Sequence, residues 1–209
     1  MALDKLKQIY ITTLYREKAF IIKKEYIKLH HGGESHLYMN HSIFLSSYKN
    51  FSLLSQIYIE LLPKSLKTYQ LGSVDSVMSP IISGFLASIL KKDVVITKEK
   101  KMEHGIENKI YGNPSGEVVL IDDVTTSGTI LINAAQALKE KGASVNYAIL
   151  AACRDLTAIE RLKAVGIKTN FIATYEEIAK TLWNKLTQEE KAIIKKEVQE
   201  RGYNWKLSN

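Results

Sequence analysis

Residues 117–130 read EVVLIDDVTTSGTI. Four apolar residues, Val118, Val119, Leu120 and Ile121, run into two adjacent acids, Asp122 and Asp123. Val124, Thr125, Thr126, Ser127, Gly128 and Thr129 follow. Carboxylates accept hydrogen bonds from sugar hydroxyls and bind Mg²⁺ directly or through water, but they repel phosphate. Hydroxyl donors, successive backbone N–H groups and a glycine that permits close approach do the reverse and suit an anion. One end of the stretch therefore fits a ribose diol and the other its 5-phosphate. Two acids that merely cap a helix are the plain alternative, but they do not account for the apolar run before them or the hydroxyls after. Neither G-x-x-x-x-G-K-[ST] nor G-x-G-x-x-G occurs, which disfavours a nucleoside triphosphatase or a dinucleotide enzyme.

The surrounding pattern must place this loop. Residues 118–121 read as a strand, 122–129 as a loop and 130–141 as a helix stopped by Gly142. A strand at 145–151, a helix at 157–165 capped by Gly166 and a strand at 169–172 follow. This β-α-β-α-β order implies a parallel sheet covered by helices, in which ligands bind beyond the carboxyl ends of the strands. Upstream, residues 3–22 suit a helix and a short strand at 20–22, and 50–66 have helical apolar spacing. Residues 74–78 suit a short strand, 84–90 a helix, 94–96 a strand, and 97–116 a long polar loop with a hairpin. Thr187 followed by Gln188, Glu189 and Glu190 starts a last helix that runs to about Arg201, read as a packing helix rather than a membrane-surface one.

With 209 residues, 45% hydrophobic and 24% charged, the chain suits one globular domain. No apolar run approaches the ~20 residues of a membrane span. The first twenty residues are charged throughout and carry no signal-peptide core. The single cysteine, Cys153, excludes an internal disulfide and reads as a small buried residue. These features fit a cytoplasmic protein. The net charge of +7 is spread along the chain without a basic arm; this argues for a solvated surface or a phosphorylated small ligand over nucleic acid. His30, His31, His36 and His41 lack a zinc spacing and read as loop surface.

VVLIDDVTTSGT at 118–129 resembles the phosphoribosyl pyrophosphate (PRPP) signature of type I phosphoribosyltransferases. Further segments resemble orotate phosphoribosyltransferase. KEKKMEHG at 98–105 is similar to its catalytic loop, RKExKxHG, and HGGESHLYMN at 31–40 to its SGxxSxxYxD/N segment. SPIISGFLA at 79–87 is similar to GPAYKGIPLA, and Arg154-Asp155 to its Asp-Arg element. The resemblance implies an α/β fold: a mostly parallel five-stranded sheet flanked by helices, with a small N-terminal hood. The whole chain, 1–209, would be a single phosphoribosyltransferase domain. The hood would come largely from 1–45, the core from about 50–175 and C-terminal helices from 176–205. It implies transfer of phosphoribosyl from PRPP to orotate, giving orotidine 5′-monophosphate and pyrophosphate, a step of de novo pyrimidine synthesis. By motif position Asp122 and Asp123 hold the ribose hydroxyls, and Val124, Thr125, Thr126, Ser127, Gly128 and Thr129 cradle the 5-phosphate. Lys98, Lys100 or Lys101, and His104 meet the pyrophosphate, with Lys101 and His104 catalytic alongside the two aspartates. Thr126 and Arg154 face orotate. Mg²⁺ is held mainly through PRPP, with water-mediated reach to Asp122 and Asp123. A homodimer sharing the catalytic loop across subunits is implied as well.

The chain departs from the family pattern at cationic positions. Thr97-Lys98-Glu99 stands for Arg-Lys-Glu, and the loop is one residue longer, so either Lys100 or Lys101 fills the catalytic lysine position. Ile82-Ser83 stands for Tyr-Lys, and His30 for a frequent lysine. These losses leave two alternatives: a related transferase acting on another base, and a PRPP-binding regulator with weak or no catalysis.

Overall fold

The computed structural model describes residues 2–29, 33–98 and 110–207. In chain order the elements are α1 (Leu3–Arg16), β1 (Phe20–Lys28), β2 (Glu34–Met39), α2 (His41–Phe44), α3 (Tyr48–Leu61), β3 (Gln70–Ser73), α4 (Met78–Leu90), β4 (Val94–Thr97) and β5 (Ile110–Tyr111). Then come β6 (Glu117–Thr125), α5 (Thr129–Glu140), β7 (Ser144–Cys153), α6 (Leu156–Ala164), β8 (Lys168–Thr174), α7 (Tyr175–Leu182), a 3₁₀ turn (Trp183–Lys185) and α8 (Gln188–Glu200). They fall into two compact units, residues 55–172 and residues 1–54 with 173–209.

The first unit holds the sheet, in the order β5-β4-β3-β6-β7-β8. β3 pairs parallel with β4 and β6, and β6 pairs parallel with β7; the two-residue β5 pairs antiparallel with β4. The sheet is mostly parallel, as expected. It has six strands rather than five because Ile110–Tyr111, in the segment read as a polar loop, adds β5 at the edge beside β4. Val118, Val119, Leu120 and Ile121 are all fully buried, as a central parallel strand with both faces covered requires. α5 packs Leu131, Ala134, Ala135 and Leu138 into the cluster that holds Val118 and Leu120, while α4 packs against β3 and β6.

Three boundaries in this unit differ from the sequence reading, each for a local reason. The strand expected at 74–78 lies at Gln70–Ser73, and 74–77 form a turn. Serine side chains compete for the backbone there: the Val74 N–H donates to Ser79 Oγ at 2.9 Å, and the Ser79 N–H donates to Ser76 Oγ at 3.1 Å. α4 then starts at Met78, six residues early, with Pro80 in the first turn, where a missing N–H costs nothing. β6 runs four residues beyond Ile121, because Asp122 pairs with Leu150, Val124 with Ala152 and Thr125 with Cys153. The eight-residue loop expected at 122–129 shrinks to 126–128.

The second unit is built on a β1–β2 hairpin in which Phe20 pairs with Met39 and Ile22 with Leu37. α8 lies against both strands, and its buried Glu197 accepts hydrogen bonds from Ser35 Oγ (2.6 Å) and the His36 N–H (2.8 Å). α7 and α8 each start with a capping box, Thr174/Glu177 and Thr187/Glu190. His36 and His41 are not surface residues: both are buried. The His36 ring stacks on Tyr26, and His41 Nε2 lies 2.6 Å from the Tyr10 hydroxyl. His30 and His31 lie outside the described residues.

Candidate active site at the strand ends

Because β3, β4, β6 and β7 run parallel, their carboxyl ends share one edge of the sheet. The turn at 74–77 follows β3, Lys98 follows β4, Asp122 to Thr125 end β6, and Arg154 follows β7. The ends are stitched together. Thr97 Oγ1 donates to the Ser73 carbonyl at 3.0 Å, Ser79 Oγ to the Ile121 carbonyl, and the Tyr58 hydroxyl to the Asp122 carbonyl at 2.7 Å. The Arg154 N–H donates to the Thr125 carbonyl at 3.0 Å.

The two aspartates have different surroundings. Asp122 is 3% exposed while Asp123 is half-buried. Asp122 Oδ1 accepts from the Asp123 N–H at 2.9 Å and from Ser76 Oγ at 3.4 Å. Burial, and secondly the neighbouring charge of Asp123, hold the Asp122 carboxyl well above the usual carboxylate range.

Thr126, Ser127 and Thr129 are exposed, Val124 is half-buried, and Thr125 and Gly128 are buried. Thr125 Oγ1 accepts from the Gly128 N–H at 3.1 Å. Ser127 Oγ and Thr129 Oγ1 lie 3.0 Å apart. Gly128, at φ +75°, is the residue from which α5 starts. The N–H groups of the first turn of α5 have no intrahelical acceptor and lie beside this hydroxyl cluster.

Lys98 Nζ sits 3.3 Å from Asp75 Oδ1 in the β3–α4 turn. Arg154 is buried, and its neighbour Asp155 caps α6 by accepting from the Thr157 N–H at 2.8 Å. Cys153 is buried, its thiol pushed up to about 12 by burial, so it is no nucleophile at neutral pH. Lys100, Lys101 and His104 lie outside the described residues.

The structure revises one expectation. Ile82 and Ser83 are fully buried inside α4, so they occupy core positions and cannot be where a strand-end cation was lost. The strand-end turn is 74–77 instead, and it carries Asp75 and Ser76.

Sequence reasoning missed Tyr58, Ser76, Ser79 and Arg161. The three-residue spacing of Ser73, Ser76 and Ser79 before an apolar helix was a usable signal for the turn. Arg161 had no local signal: its Nη1 donates to the Ser127 carbonyl at 2.7 Å from 34 residues away.

No family model matches the chain. The fold is that of the crystal structure of orotate phosphoribosyltransferase from Aeropyrum pernix, with TM-score 0.72 and 23% identity over 82% of this chain and 97% of that one. In sequence, an orotate phosphoribosyltransferase of Methanopyrus kandleri is 31% identical over 133 residues, 62% of this chain and 69% of the relative. One of Pyrococcus abyssi is 30% identical over 149 residues, 70% and 82%. The fold is that of a phosphoribosyl-transferring α/β protein. On these relatives, the chain belongs to the orotate phosphoribosyltransferase family.

Proposed function

We propose that the protein transfers the phosphoribosyl group of PRPP to orotate, giving orotidine 5′-monophosphate and pyrophosphate in pyrimidine synthesis. The observation that carries this reading is the end of β6, where a buried acid, a half-buried carboxylate and a hydroxyl-rich turn at a helix start follow one another within eight residues.

In this reading Asp123, with Asp122 behind it, holds the ribose hydroxyls. Val124, Thr125, Thr126, Ser127, Gly128 and Thr129 take the 5-phosphate. Lys98, with Lys100 or Lys101 and His104, meets the pyrophosphate. Thr126 and Arg154 meet orotate; a guanidinium fork binds a carboxylate or two ring carbonyls in parallel. The bond from ribose C1 to the diphosphate oxygen breaks, an orotate ring nitrogen takes C1, and the nitrogen's proton is released. Positive charge develops on the ribose as the diphosphate departs, so cations around the leaving oxygens lower the barrier.

Among the described residues no three His, Cys, Asp or Glu side chains group as a metal cage. One accessible carboxylate beside a buried one fits an Mg²⁺ ion that takes most of its oxygens from substrate and water. When bound it would neutralise diphosphate charge, with Asp123 and Asp122 reached through water.

The same reading makes the protein a cytoplasmic homodimer that shares its catalytic loop between subunits. Among the described residues no helix is long and apolar enough to cross a membrane.

The test is loss of orotate absorbance with PRPP and Mg²⁺, run beside uracil, adenine, guanine and hypoxanthine with pyrophosphate as readout. Turnover with orotate alone is expected. Turnover with another base would move the acceptor, and PRPP binding without turnover on any base would make the protein a regulator. Sedimentation analysis of the same sample checks the dimer.

A further inference from the structure

We propose that Arg161, on α6, is a positioning residue that sets the 5-phosphate turn; this rests on the function reading above. The peptide joining Ser127 to Gly128 is held at both ends. Its carbonyl accepts from Arg161 Nη1 at 2.7 Å, and its N–H donates to Thr125 Oγ1 at 3.1 Å. A peptide unit is planar, so two bonds at opposite edges fix the tilt of the plane. That plane leads directly into α5 and sets the direction in which the first N–H groups of the helix point.

α6 backs the turn along one face. A β-carbon built on Gly128 would lie 3.2 Å from the Ala158 carbonyl oxygen and 3.3 Å from Leu162 Cγ. Ala158, Arg161 and Leu162 are three and four residues apart, the spacing of one helix face. Arg161 Nη2 is also 3.5 Å from Thr129 Oγ1, which lies 3.0 Å from Ser127 Oγ. One guanidinium thus reaches a carbonyl and a hydroxyl of the turn, and its fixed positive charge stands beside the place of the anion.

A brace of this kind acts on PRPP affinity more than on the chemical step. Removing a charge-assisted hydrogen bond that orders the turn predicts about a tenfold weaker Kd and higher KM for PRPP in Arg161→Gln. The same variant should keep kcat within about twofold and leave the orotate KM unchanged. Arg161→Lys keeps the charge and one donor and should fall between Gln and wild type. Lys163→Gln, on the same helix, removes equal charge without a contact to the turn and serves as the control.

The experiment is calorimetric PRPP binding to all four proteins, with steady-state kinetics in PRPP and orotate and a thermal melt of each. A selective loss of PRPP affinity in Arg161→Gln, partly rescued by lysine, supports the proposal. Equal PRPP affinity in wild type and Arg161→Gln overturns it, as does an equal loss in Lys163→Gln or a lower melting point without a change in affinity. Wild-type protein that binds no PRPP overturns the function reading and this proposal with it.

Discussion

Gly128→Ala measures how tightly the turn is wedged. At φ +75° and ψ −3° the residue sits in the left-handed region, which costs an L side chain roughly 1–2 kcal/mol. The new methyl would also stand 3.2 Å from the Ala158 carbonyl oxygen and 3.3 Å from Leu162 Cγ, so α6 must give by a few tenths of an ångström. Leu162 is fully buried, and overpacking of a filled site costs about 1–3 kcal/mol. The two effects together predict about 2–5 kcal/mol, or a melting point lower by about 4–20 °C for a chain of this size. Gly142→Ala separates them. Gly142 has φ +87°, and a methyl added there would meet nothing within 4 Å, so it carries the conformational cost alone. Thermal unfolding of both variants and calorimetric PRPP binding form the assay. Gly128→Ala should be the less stable of the two and should bind PRPP more weakly, because displacing α6 stretches the Arg161–Ser127 bond. Equal melting points for the two variants would refute the idea that α6 presses on the turn.

Asp123→Asn replaces the half-buried carboxylate and weakens two hydroxyl contacts to a charged acceptor; kcat/KM for PRPP should fall about 100-fold or more, with the melting point nearly unchanged. Wild-type turnover in that variant would contradict the site assignment. Asp122→Asn should act on stability with a definite sign. Because the carboxyl is raised in the fold, the native state holds its proton above the ordinary 3.8. Stability from this group is therefore complete below that pH and is lost as pH rises through the folded value. The variant should gain on wild type as pH rises in urea unfolding series, and a flat difference from acid to neutral pH would contradict this. Glu197→Gln places an amide against Ser35 Oγ, the His36 N–H and Arg201, whose Nε is 3.5 Å from Glu197 Oε1. It should cost about 2–4 kcal/mol in thermal unfolding while leaving the PRPP Kd unaltered.

Much of the sheet unit is legible from periodicity, because each element from β6 to β8 is a short apolar run closed by glycine or a polar turn. The region from 70 to 83 is less legible. Val74 to Met78 carries strand-like residues, yet three serines at three-residue spacing claim the backbone groups a strand would use, and the strand retreats to Gln70–Ser73. The same region bears on the family match: Ile82 and Ser83 look like replaced cations when SPIISGFLA is laid against the family segment, but in the fold they are buried inside α4. β1 extends to Lys28 through Lys23, Lys24 and Glu25, whose exposed charges hide a strand supported from β2 and α8. At the site, residues adjacent in sequence were readable as a group. Arg161, Tyr58 and Ser76 were not, because their contacts to 122–129 are made through the fold and leave no trace in local spacing.

Two full negative charges at the end of β6 would oppose a ligand that carries phosphate groups, and the geometry relieves that opposition. The sheet encloses Asp122 while Asp123 stays partly open. Enclosure and the charge next door both favour the neutral form of Asp122. Its Oδ1 is already committed to the Asp123 N–H and to Ser76, which fixes the backbone on which Asp123 stands. The pair then offers a phosphorylated sugar one partly open carboxylate to accept from its hydroxyls and one enclosed carboxyl to hold that acceptor in place. In this division Asp122 is needed for its bonds and Asp123 for its charge. That is why the asparagine variants should part: one mainly in the pH dependence of stability, the other in the use of PRPP.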